Sequence, residues 1–131
     1  MEGGFYEQFA RPHNGLGFVP TIMEHMHGST ALAGIAFGEA TNFPAVYRSS
    51  VFCGNVITCR IHRDSLIYNG SSIRAQEESD FLISGDPWFR PVDLQVGPDG
   101  AIYVADFYNR IIGHYEVALT HPGRDRRSGR I

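Results

Sequence analysis

PVDLQVGPDGAIYVADFYNRIIGHY, residues 91–115, decides the fold. Val92, Leu94 and Val96 alternate with Asp93 and Gln95, the period of two that sends successive side chains to opposite faces of a strand. Gly97, Pro98, Asp99 and Gly100 then supply turn chemistry: proline presets one backbone angle, aspartate bonds its own backbone and glycine accepts the strained corner. After the turn Ile102 and Val104 alternate with Tyr103 and Ala105. A polar corner of Asp106, Phe107, Tyr108, Asn109 and Arg110 follows, and Ile111 and Ile112 open what reads as a third short strand. The expectation is an antiparallel meander.

Working outward, the same rhythm occurs earlier in the chain. Aligning residues 51–66 with 102–117 sets Val51 on Ile102, Phe52 on Tyr103, Cys53 on Val104, Gly54 on Ala105, Asn55 on Asp106 and Ile61 on Ile112, an offset of 51 residues. One four-stranded propeller blade with a generous loop has about that period, blades running roughly 40–50 residues. Residues 31–37 read as a strand before the first copy, with a turn or single helical turn around Asn42–Arg48. Ser72–Ala75 and Phe81–Ile83 read as outer strands. The expected fold class is all-β, a partial β-propeller of about two and a half four-stranded blades of the NHL or sorbosone-dehydrogenase kind. Residues 1–29 form an irregular lead-in, 30–83 a first blade region and 84–131 a second, within one segment. Such a piece cannot close a ring of blades, so the chain is expected to be a fragment of a larger propeller.

Composition narrows the function classes. The 131 residues are 43% hydrophobic and 12% aromatic, a globular and not a disordered balance. With a net charge of −3, and basic residues clustered only at Arg124, Arg126, Arg127 and Arg130, no nucleic-acid footprint is expected. All eleven basic residues are arginine, which excludes Schiff-base lysines and the P-loop lysine within this chain. Cys53 and Cys59 fit neither a zinc-ribbon nor a haem-attachment spacing; they read as buried thiols, with a disulfide left open. The opening residues lack a signal-peptide pattern, and no apolar run is long enough to span a membrane.

Several side chains invite chemistry. His25 and His27, two apart, would face one side of an extended strand and could share a metal, but a third ligand is needed and His13 and Asp93 are only guesses, so no metal site is assigned. Arg90, flanked by Trp88, Phe89 and Pro91, could bind an anion through paired hydrogen bonds or simply stack on Trp88. Asp106 and Asn109 read as corner residues bonded to their own backbone, and Asp99 as turn chemistry. Glu77, Glu78 and Asp80 read as a solvated, aggregation-blocking edge. His114, beside Tyr115 and Glu116, carries no chemical argument.

From His27 to Ile131 the sequence resembles the glucose/sorbosone dehydrogenase superfamily. It is most similar to the C-terminal propeller blades of its planctomycete-type membrane-bound dehydrogenases, the haem-binding CxxCH proteins. The matching residues are 27–34 (HGSTALAG), Phe43, Pro44, Tyr47, Arg48, Phe52–Asn55, Arg63 and Asp64. To these are added 86–93 (DPWFRPVD), 97–100, 106–117, 121–126 and Gly129–Ile131. The resemblance implies an extracytoplasmic, periplasmic parent that oxidises a sugar or polyol and passes electrons to a cytochrome module carrying haem c, which this chain does not contain. It raises pyrroloquinoline quinone as a cofactor of that parent and points to Arg90, His27 and Arg110 as residues lining its channel, with Thr30 a nearby hydroxyl. Val92 stands where the family's second cofactor arginine belongs, and the catalytic histidine lies in an earlier blade, so the catalytic group here is unknown. The implied partners are the remaining blades and the cytochrome module, with no nucleic acid and no membrane span in this chain. A non-catalytic propeller that binds carbohydrate or protein is the competing expectation.

Overall fold

A computed structural model describes residues 25, 27–29, 31–39, 42–113 and 117–131. The described residues form seven strands: β1 (Leu32–Phe37), β2 (Ser50–Asn55), β3 (Arg60–Asn69), β4 (Ser72–Glu77), β5 (Leu82–Ile83), β6 (Pro91–Val96) and β7 (Ile102–Asp106). A 3-10 turn at Ala45–Tyr47 fills the expected place between β1 and β2. All described strand pairing is antiparallel. The order β1-β2-β3-β4 makes a four-stranded meander, short β5 pairs with the start of β3, and β6-β7 form a separate hairpin. This is an all-β chain with the architecture of a partial β-propeller: one four-stranded blade and the leading hairpin of a second.

The sheets meet on one face of the first. Phe52 and Ile61, both fully buried, project from that face toward Leu94 of the second sheet and Phe89 in the segment that enters it, with Ala36 completing the buried core. An aromatic group of Phe43, Tyr47, Phe52 and Phe81 extends it, Phe52 and Phe81 meeting edge to face at 4.7 Å. Two glycines set how closely the sheets approach. A Cβ on Gly54 would lie 2.6 Å from the Pro91 carbonyl oxygen, and one on Gly34, whose φ is +65°, would lie 2.6 Å from the Asp93 Cα. Only a residue without a side chain lets β6 lie directly on β1 and β2. Gly34 also sits in the bulge where the β1–β2 register shifts.

The strand expected at Ile111 and Ile112 does not form. The backbone beside β7 is taken by a bridge between Asp106 and Arg130, closed by hydrogen bonds of 2.8 and 3.1 Å. The carbonyls of Asn109 and Arg110 are drawn instead to the Arg90 guanidinium. A chain segment whose acceptors are committed elsewhere cannot also supply a ladder.

Candidate functional site

Strand β3 carries core residues on one face and polar ones on the other, because alternate side chains point oppositely. Ile61 faces the core, whereas Arg60, His62 and Asp64 share the opposite face. On that face Asp64 is paired across β4 with Glu77, and the segment leading into β1 lays His25 and His27 beside it. Asp64 lies between the two imidazoles: Oδ1 is 2.7 Å from His25 Nε2 and Oδ2 is 2.8 Å from His27 Nε2. The His27 side chain is only 2% exposed and that of His25 17%. Asn55 anchors this segment, its Nδ2 donating to the His27 carbonyl at 3.1 Å.

A second pair stands next to the first. The His62 ring stacks on His27 with centroids 4.2 Å apart and planes 13° from parallel. His62 Nδ1 donates to Asp80 Oδ1 at 2.6 Å, and Arg60 Nη1 donates to the other oxygen of the same carboxylate at 2.7 Å. On the other side of the ring, His62 Nε2 lies 3.4 Å from the Thr58 hydroxyl. Asp80 is brought here by the turn after β4, where Phe81 N bonds the Ile61 carbonyl. Glu78 also has a partner, accepting from the Ser65 hydroxyl at 2.8 Å. The acidic run expected to be a plain solvated edge is therefore corrected in part: Asp80 and Glu78 hold side chains of β3, while Glu77 stays exposed.

Electrostatics follow from these contacts. Burial pushes the His27 imidazole toward the neutral form, but the hydrogen bond and charge of Asp64, helped by Glu77 and Asp80, outweigh it and raise its pKa. Burial likewise acts to raise the Asp64 carboxyl, yet His27 and then His25 hold it below the ordinary carboxylate range. Asp80 is held low in the same way, burial opposed by His62 and Arg60. Burial, with the Asp64 charge, pushes the Cys53 thiol up; Cys53 and Cys59 are both free.

Together His27, Gly28, Thr58, Arg60, His62, Glu77 and Asp80 line an open depression of about 470 Å³. Its floor is imidazole, and its rim is charged and accessible, the Arg60 side chain being 44% exposed and that of Glu77 53%.

Of the three residues expected to line a cofactor site, only His27 belongs to this depression. Arg90 is buried between two corners of the fold. Its Nε donates to the Asn109 carbonyl at 2.9 Å, Nη1 to the Val56 carbonyl at 2.7 Å and to Cys59 Sγ at 2.9 Å, and Nη2 to the Arg110 carbonyl at 3.1 Å. Arg110 is exposed and meets Arg90 only through that carbonyl. These three residues do not fit pyrroloquinoline quinone, because the guanidinium that would clamp its carboxylates is committed to the protein's own acceptors. Nor does Arg90 stack on Trp88. Trp88 packs on Tyr108 at 5.6 Å, and it is Arg130 whose guanidinium covers the Tyr108 ring. Asp93 bonds its own strand at Leu94 N and Gln95, while Asp106, Asn109 and Asp99 each accept from backbone amides two residues on. His13, Thr30 and His114 lie outside the described residues.

Sequence reasoning passed over His62, Asp64, Asp80 and Arg60 as a set. The available signal was the alternation of Arg60, His62 and Asp64 around Ile61 and Arg63 within one strand, which puts three ionisable side chains on a single face.

Fold and site define an all-β propeller segment bearing a small-molecule-sized polar depression on the face of its first sheet opposite the core. The chain belongs to the family described as "Domain of unknown function (DUF7133)", which matches residues 8–131. Solved structures similar to it include two glucose dehydrogenases. One described as "glucose dehydrogenase" is 28% identical with a TM-score of 0.48, covering 58% of this chain and 22% of its own. Another, "Crystal structure of glucose dehydrogenase", is 28% identical with a TM-score of 0.49, covering 60% and 20%. The chain thus spans about a fifth of the length of these solved chains. No curated protein matches it. No described helix is long and apolar enough to cross a membrane.

Proposed function

We propose that this chain is the polyol-binding part of an extracytoplasmic, dehydrogenase-type propeller protein that oxidises a sugar or related polyol, with electrons leaving through a haem c module elsewhere in the parent. The observation that carries the reading is the open depression over His27 and His62, rimmed by Arg60, Glu77 and Asp80. Vicinal hydroxyls need acceptors and donors side by side, and carboxylates, a guanidinium and imidazole nitrogens supply both within one small concavity. The sequence resemblance to glucose/sorbosone dehydrogenases supports the substrate class.

A non-catalytic, carbohydrate-binding propeller is the second reading. What favours it is the Arg90 guanidinium, bound to three carbonyls and a thiol instead of facing outward. A quinone-bearing parent would hold its cofactor with groups other than Arg90. Calorimetric titration of the folded chain with glucose, sorbose and sorbitol tests the binding step: saturable binding that Glu77→Ala weakens supports it, and no binding of any of them overturns it. Polyol-dependent dye reduction by the parent separates the two readings, since only the enzyme reduces the dye.

A further inference from the structure

We propose that His25, His27 and Asp64 form a binding site for a divalent transition-metal ion, with Zn²⁺ the ion they suit best. This proposal is independent of the polyol reading and stands or falls without it.

Three ligands of the two types favoured by such ions converge here, one nitrogen or oxygen atom from each lying within 4.8 Å of the others. Two imidazoles and one carboxylate are a common donor set for zinc with a coordination position left open. Each carboxylate oxygen already faces its own imidazole, at 2.7 and 2.8 Å. An ion bonded to nitrogen and oxygen at about 2.0–2.2 Å holds adjacent ligand atoms roughly 3.3 Å apart. Forming a chelate widens each of these gaps by about half an ångström and draws in the donor atoms that now lie up to 4.8 Å apart. Asp64 sits inside a β-ladder paired to both Val51 and Glu77, and Asn55 ties down the His27 backbone, so the donors are held before an ion arrives.

A second, independent observation points the same way. His27 Nδ1 is buried and has no hydrogen-bond partner among the described residues. A buried ring nitrogen left unpaired costs free energy. With an ion on Nε2 the proton must reside on Nδ1, and a carboxylate oxygen, Glu77 Oε1, lies 3.8 Å from it. A carboxylate accepting the second N–H of a metal-bound imidazole is the usual outer partner of such ligands.

The test uses the full chain, stripped with a chelator and titrated with Zn²⁺ against a chromophoric competitor. One ion per chain is expected, with X-ray absorption showing imidazole nitrogens at about 2.0–2.1 Å. His25→Gln and Asp64→Asn should each weaken binding by at least about tenfold, while exposed His121→Gln leaves it unchanged. His25 is the less buried of the two ligands, so His25→Gln decides the matter if circular dichroism shows that Asp64→Asn is unfolded. A folded wild-type chain that binds no Zn²⁺ overturns the site, as does binding that neither substitution weakens.

Discussion

Asn55 and Asp106 hold the same post in successive sheets. Each ends the second strand of its sheet, they stand 51 positions apart, and each turns its Oδ1 back to accept amide protons of the corner that follows. For Asn55 these are Ile57 N and Thr58 N, both at 3.1 Å; for Asp106 they are Tyr108 N at 2.8 Å and, across the sheet, Arg90 N at 2.7 Å. Asn55 is fully buried and also secures the histidine segment through its amide nitrogen. Asn55→Ala should therefore cost about 2–4 kcal/mol in urea unfolding, since several buried groups lose their partner at once. Asn55→Asp keeps the acceptor but loses the donor to His27, and an intermediate loss is expected.

Arg90 predicts a stability effect where an exposed anion-binding arginine would predict none. Arg90→Ala leaves three carbonyls without their donor and should lower unfolding stability by about 3 kcal/mol or more. Arg90→Lys should recover little of it, because an ammonium cannot reproduce a planar fork reaching two corners. Equilibrium denaturation of both variants checks this; full recovery by lysine would refute the geometric argument.

At the seam between sheets, Gly34→Ala adds a methyl group where the Asp93 backbone lies and forces a β-carbon into a left-handed conformation. A loss of about 2–4 kcal/mol is expected, against about 0.5 kcal/mol or less for Gly85→Ala, where a Cβ meets nothing within 4 Å. Thermal melts of the two variants side by side make the comparison.

Acid should weaken the fold through Asp80. Facing it are Arg60 and His62, with His27 and Glu77 across the depression. Its folded pKa is depressed, so its contribution is fully present above the unfolded value of about 3.9 and is lost as pH falls through the lower folded value. Asp80→Asn should reduce the steepness of the loss of melting temperature below about pH 4 while lowering stability at neutral pH. An unchanged acid limb in the variant would assign that limb to other carboxylates.

How much of this was legible in the sequence depended on how local each signal was. The Gly97–Gly100 hairpin is written in consecutive residues, and the corner at Asp106 announces itself by turn chemistry that needs no distant partner. The pairing of the two histidines was suggested by their spacing, but their common carboxylate was not: Asp64 lies 37 positions from His27 and reaches it only once β3 has taken its register. Asp80 was misjudged for a related reason, since a run of acids looks solvated until the Phe81–Ile61 hydrogen bond swings one of them against His62. Arg90 beside aromatics carries the same local signature whether it faces a ligand or the protein's own carbonyls, and the choice was made by two corners converging from different sheets. Ile111 and Ile112 had a strand's composition but lost the ladder to Arg130, a residue no local window contains.

Every group around the depression, from His25 to Asp80, belongs to the first sheet or to the segment that enters it. The second sheet and the segment that enters it contribute packing through Leu94 and Phe89 but no polar atom to that surface. The chemistry of this blade can therefore change by substitution on one face of β3 while the joint with its neighbour, made on the other face by Phe52, Ile61 and Leu94 and by the close approach at Gly34 and Gly54, stays as it is. In a ring assembled from such units, each blade is free to acquire or lose a site on its own.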